Sequence, residues 1–160
     1  MQELQYSEQR GQFSTDFCHG LSMFGALSDD SLDFMLQRGR LFQVDAGETL
    51  FSAGDKSDLF YVVLKGAVRF FQAKDESGLK VPLRKYQVGE QVGFVGMIGL
   101  HQRRGDALME ESGYLMEISS ELFHQLCEKF PEMFQIFLIN IAREMSREIS
   151  HLDQMYIEKD

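Results

Sequence analysis

At 160 residues the chain has room for one domain, and its 44% hydrophobic and 12% aromatic content is ample for a folded interior. A formal charge of −9 repels phosphate backbones, which argues against direct nucleic-acid binding. Only two cysteines occur, Cys18 and Cys127; residues 1–12 are polar, and no run approaches the ~20 apolar residues of a membrane span. The chain therefore reads as a reduced, cytoplasmic protein with neither disulfide nor membrane segment.

Residues 1–14 are polar and read as a loosely held start. Residues 17–38 are helical in two pieces. Ser28 is the expected N-cap, with Asp29 and Asp30 at the positive helix end, and Gly39 marks the stop. The period then changes. Short apolar runs at 40–44, 49–52, 59–64, 67–73, 80–86, 107–111 and 114–118 alternate with glycine-bearing corners. Evenly spaced short strands of this kind predict an antiparallel roll of about eight strands.

The last third returns to helix. Ser119 or Ser120 can cap a helix through Leu122 and Leu126, and Pro131 ends it and opens the next. Residues 132–157 contain neither Gly nor Pro. Phe130, Met133, Phe134 and Phe137 form the face expected to pack onto the roll. Leu138, Ile141, Met145, Ile149, Leu152 and Tyr156 recur at spacings of three or four and predict a seam for the same helix of a second copy. Arg143, Glu144, Arg147 and Glu148 read as a solvated flank, or as charged pairs beside that seam.

Four glycines among residues 89–99 precede Arg103 and Arg104. Exposed backbone amides there, with a helical turn beginning near Phe94, suit an anion, and either arginine could hold it bidentately. A surface loop with a solvated basic pair is the competing interpretation. Catalysis finds no support. His19, His101, His124 and His151 are scattered without metal-ligand spacing, and Cys18 and His19, adjacent on a helix, diverge by about 100°. The acidic pairs Asp29-Asp30 and Glu110-Glu111 read as a helix start and a strand edge.

Several motifs occur in a fixed order: Phe24-x-x-Leu27-Ser28, Ala46-Gly47-Glu48-Thr49-Leu50-Phe51-x-x-Gly54, Leu59-Phe60-Tyr61-Val62-Val63-Leu64-Lys65-Gly66-Ala67-Val68, Gly89-Glu90-x-Val92-Gly93, the Arg104 region, Met116-Glu117-Ile118-Ser119 and Phe130-Pro131. In these the chain resembles the cyclic-nucleotide-binding domain family, in its catabolite-activator/fumarate-nitrate-regulator branch, over residues 21–149. The resemblance implies a mainly β domain with flanking helices, a double-stranded β-helix (β-roll) spanning 15–130, followed by a long dimerisation helix over 131–160.

It also implies a sensor module in which a small anionic ligand, such as cyclic AMP or cyclic GMP, contacts Gly93, Phe94, Val95, Gly96, Arg103, Arg104, Gly105 and, from the long helix, Ser150. No cofactor, metal or catalytic residue is assigned. Ligand binding would be relayed through the long helix to another protein or to an attached effector domain; no helix-turn-helix precedes Asp160. Two departures from the family pattern stand out. Phe94 replaces the glutamate that takes a ribose hydroxyl, and Arg104 is followed by Gly105-Asp106, leaving Arg103 or Arg104 in register. The alternatives are a dimerisation scaffold with a degenerate pocket, or the sensor half of a longer transcription regulator.

Overall fold

In the computed structural model, which describes residues 1–74 and 76–158, seven strands and six α-helices are present, with most of the strands grouped between the third and the fifth helix; residues 159–160 of the expected last segment lie outside the described residues. The strands are β1 (Gln2–Leu4), β2 (Arg40–Val44), β3 (Thr49–Phe51), β4 (Leu59–Ala73), β5 (Lys80–Tyr86), β6 (Gln91–Val92) and β7 (Asp106–Ser119). The helices are α1 (Tyr6–Gln9), α2 (Thr15–His19), α3 (Asp29–Arg38), α4 (Phe94–Ile98), α5 (Ser120–Lys129) and α6 (Pro131–Ile157). A 3-10 turn occupies Ser22–Phe24.

All pairings are antiparallel, and the backbone of the sheet is the ribbon β4–β7, paired from Leu59 opposite Ser119 to Phe71 opposite Asp106. β2 and β3 both lie on the far edge of β7, and β5 and β6 on the far edge of β4, which rolls the sheet on itself. The fold is the expected β-roll followed by a long helix.

Strand count departs from the sequence reading for a local reason. The runs 59–64 and 67–73 are one strand, as are 107–111 and 114–118, because the glycine-bearing corners between them face each other across the ladder. Gly66 has φ +84°, and a Cβ there would strike the carbonyls of Glu111 and Ser112; Gly113 packs as tightly on Lys65. The two strands therefore bend together, with register shifts, and neither ends. Residues 1–14 also carry regular structure: β1 pairs with β2, and Glu3 holds Arg40 at 2.8 Å.

The helix signals act as read. Ser28 Oγ accepts the Ser31 amide, Ser119 Oγ accepts the Leu122 amide, and Pro131 occupies the first turn of α6. Along α6 the buried residues are Phe137, Asn140, Ile141 and Glu144, a stripe at helical spacing that faces the molecule's own interior. Asn140 Nδ2 donates to the carbonyls of Met23 (3.2 Å) and Gly25 (2.7 Å), and Ser22 Oγ donates to Glu144 at 2.6 Å.

Two expectations for this helix are corrected here. Ile141 belongs to the protein's own core and Met145 packs against it, so neither is free for a partner helix. Glu144 and Glu148 lie inward and are not part of a solvated flank. Leu138, Ile149, Leu152 and Tyr156 remain exposed.

Candidate functional site

The site begins at the turn from β6 into α4. Gly93 adopts φ +90°, a conformation that costs an L-residue about 1–2 kcal/mol, and a Cβ there would collide with Arg103 Nη1. Glycine thus lets the backbone pass against the arginine. Gln91, itself buried, braces the next step by accepting the Phe94 amide at 3.2 Å. Phe94 then turns into the core, edge-on to Phe60 with ring centroids 5.3 Å apart. It is 1% exposed, so its ring is part of the core and does not line the cavity described below.

Of the two arginines, Arg103 is the inner one. It is 5% exposed; its Nη1 donates to the Gly93 carbonyl and its Nη2 to the Leu59 carbonyl, each at 2.5 Å. Its guanidinium carbon stands 4.2 Å from the centroid of the Phe51 ring. Nε is buried without a hydrogen-bond partner, as is Ser57 Oγ across Gly96. Among the described residues no carboxylate comes within 4.0 Å of the Arg103 side chain. Burial accordingly pulls its pKa below the ordinary arginine value, with Tyr61, Asp58 and Asp55 acting in the opposite direction.

Arg104 is exposed at the rim. Gly105 is buried for packing: a Cβ there would strike the Phe71 carbonyl and the Phe70 ring. Asp106 points elsewhere, held by Lys80 at 2.7 Å and by the Ala53 amide at 3.0 Å.

Gly93, Val95, Gly96, Arg103 and Arg104 line one side of a cavity of ≈ 410 Å3, closed on the other side by β5 and the second half of α6. The sequence reading thus brings five of its eight ligand candidates to one cavity; Phe94, Gly105 and Ser150 lie outside the lining. Ser150 is exposed, and its hydroxyl donates to the Ser146 carbonyl on its own helix at 3.0 Å.

The sequence reading named the long helix as the opposite wall but missed the part that β5 contributes. Arg84 of β5 stacks over Tyr86, 4.6 Å from the ring centroid, and pairs with Glu90 and with Glu148 of α6, each at 2.9 Å. Tyr86 Oη also donates to Glu148 Oε1, at 3.3 Å. Burial works against the Arg84 charge, but Glu148, Tyr86 and Glu90 hold its pKa above the ordinary value. Burial, aided by Glu148, keeps the Tyr86 hydroxyl protonated well above the ordinary tyrosine range. Two signals for this wall were present in the sequence. Arg84 and Tyr86 stand two apart on one strand and so share a face, and Glu148 lies three after Met145 and four before Leu152, inside an apolar stripe.

Residues 41–130, more than half of the chain, match the family model of the cyclic nucleotide-binding domain. Together with the β-roll and the glycine-turn cavity beneath α6, this match makes the chain a member of that family. Among known proteins it is similar to the cAMP-activated global transcriptional regulator CRP of Pasteurella multocida, 28% identical over 128 residues, which cover 78% of this chain and 61% of that protein. A 102-residue stretch is 28% identical to the lysophospholipase NTE1 of Chaetomium globosum, covering 64% of this chain and only 6% of the enzyme. Among solved structures, a cyclic nucleotide-binding domain from Methylobacillus flagellatus superposes with a TM-score of 0.86 at 16% identity, covering 99% of this chain and 89% of that one. That likeness is one of fold. Among the described residues no helix is long and apolar enough to cross a membrane, and no group of three His, Cys, Asp or Glu is placed to hold a metal ion.

Proposed function

We propose that this chain is a non-enzymatic sensor domain that takes a small anionic ligand between the Gly93–Arg104 segment and α6, and passes its arrival on through α6. The observation that carries this reading is Arg103: a guanidinium 5% exposed, facing a cavity, with no carboxylate within salt-bridge distance among the described residues and an unpartnered Nε. A buried cation without a counter-ion is costly, and an anion delivered to the cavity relieves that cost. Gly93, Val95, Gly96 and Arg104 supply the rest of the cradle, and cyclic AMP and cyclic GMP are the first candidates because the family's name and the CRP likeness point to them.

Titration calorimetry with both nucleotides tests this. Binding in the micromolar range by the parent protein, lost in Arg103→Met, is the expected result; no heat with either nucleotide up to millimolar concentration ends the cyclic-nucleotide version.

Relay is proposed to run through a homodimer. Leu138, Ile149, Leu152 and Tyr156 form an exposed apolar strip on α6, suited to the same strip of a second copy in a reduced, cytoplasmic protein. A scaffold with a degenerate pocket is the second reading, favoured by Phe94, which puts a phenyl ring into the core at the position where the family pattern has a carboxylate. Arg103→Met combined with Arg104→Met separates the two: a sensor loses its ligand response, whereas a scaffold retains its partner.

A further inference from the structure

Besides Arg103 and Arg104 at the rim, the cavity contains a third arginine, Arg84, and that one is already occupied. Arg84 lies on the wall opposite α4 with its side chain 17% exposed, and Glu148, equally shielded, reaches it from α6. The fit is incomplete. Glu148 Oε1 stands 2.9 Å from Arg84 Nη1, but that buried Nη1 makes no aligned hydrogen bond, and the same oxygen is shared with Tyr86 Oη at the long distance of 3.3 Å. A planar guanidinium is best matched by a carboxylate lying in its plane. A side chain tethered to a helix that is docked elsewhere does not reach that geometry here.

We infer that Arg84 and Tyr86 form a carboxylate-binding subsite in which Glu148 is the resident, exchangeable occupant, and that the ligand class is an organic acid with an apolar body. Glu148 itself shows that the subsite accepts a second carboxylate beside Glu90. The rest of the chamber specifies the body of the ligand: Phe70, Leu83, Val92, Met145, Leu152 and Met155 line it, and its ≈ 410 Å3 lies within the range of pockets for small organic molecules. When the ligand's carboxylate takes Arg84, Glu148 is released. Arg84 and Tyr86 are the only roll residues to which α6 beyond Met145 makes a polar contact among the described residues, so the exchange frees the end of the helix. This inference rests on the reading of the cavity as a ligand site and sets a carboxylic acid beside the cyclic nucleotides, which carry no carboxylate, as its occupant.

The test uses two probes of one shape, 2-naphthoate and the uncharged 2-naphthamide, titrated calorimetrically into the full chain at neutral pH. Glu148→Gln keeps the side-chain volume and removes the competing charge, so naphthoate should bind at least tenfold tighter to it while naphthamide is unchanged. In Arg84→Met, and in the milder Arg84→Lys should the first fail to fold, the preference for naphthoate over naphthamide should disappear. Hydrogen exchange over residues 149–157 should rise on adding naphthoate to the parent protein, and should already be raised in Glu148→Gln without ligand. Equal naphthoate affinity in the parent and Glu148→Gln overturns the exchange, as does equal tightening of both probes. Binding of both probes without regard to Arg84 overturns the subsite but leaves the cavity a ligand site; no binding of either probe to any variant overturns the subsite, and the nucleotide titration above then decides the cavity separately.

Discussion

Single residues decide what this cavity can hold. Gly93→Ala would place a Cβ at φ +90° against Arg103 Nη1, and we expect urea denaturation to show a loss of about 1–2 kcal/mol from backbone strain, with more from the displaced guanidinium. Phe94→Ala should cost about 3–5 kcal/mol in the same measurement, because the ring is fully packed against Phe60 and its removal leaves a void in the core. Restoring the family's residue with Phe94→Glu should likewise destabilise the fold, since the new carboxylate would start from a buried apolar site. Asp106 adds a pH dependence. Its hydrogen bond to Lys80 holds its pKa below the ordinary aspartate value, against the opposing effect of burial. The ionised form is favoured by folding, so its contribution is present above the ordinary range near ~4 and is lost as pH falls through the lower folded value. Thermal melts of Asp106→Asn should show a flatter decline below that pH than the parent. At Cys18, burial pushes the thiol up to about 11. A reagent that needs the thiolate should label Cys18 far more slowly than it labels the unfolded chain at pH 8.

At the level of elements, α6 divides into a fixed and a freer part. Asn140 and Glu144 tie its first half to the 3-10 turn and its neighbours. Asn140→Leu leaves the carbonyls of Met23 and Gly25 without their donor, a loss of about 1–3 kcal/mol for each group left buried and unpaired, readable by chemical denaturation. How far such features are legible in sequence differs by element. β2 and β5 coincide to the residue with runs read in the sequence, because turn residues bound each, Gly39 and Gly47 around one and Gly78 and Gly89 around the other. The merging of two runs into β4 was not, since a glycine that bends a strand and one that ends it leave the same letters. β1 and β6, at three and two residues, are too short to show a period. For the candidate site, glycines followed by arginines pointed to a segment that lines the cavity. Which arginine turns inward depended on the bond from Arg103 to Leu59, 44 positions away, and no local pattern encodes it.

For the whole molecule, the exposed strip on α6 makes oligomeric state the decisive measurement. If the proposed dimer forms through this strip, Leu152→Glu should sediment as a monomer where the parent sediments as a dimer, with the fold of each copy intact because Leu152 is 54% exposed. Ile141→Glu, by contrast, should unfold the chain, because Ile141 is part of the core.

The ribbon of β4 and β7 has one more consequence. Phe60, Val62 and Leu64 face the hydrophobic cluster shared with the helices, while the intervening Tyr61 and Val63 face the cluster enclosed by the roll. One strand is thus a common wall between two rooms, and neither can be emptied while the wall stands. Heating should therefore give a single calorimetric transition whose van't Hoff and measured enthalpies agree, with no plateau in which helices have melted and strands persist.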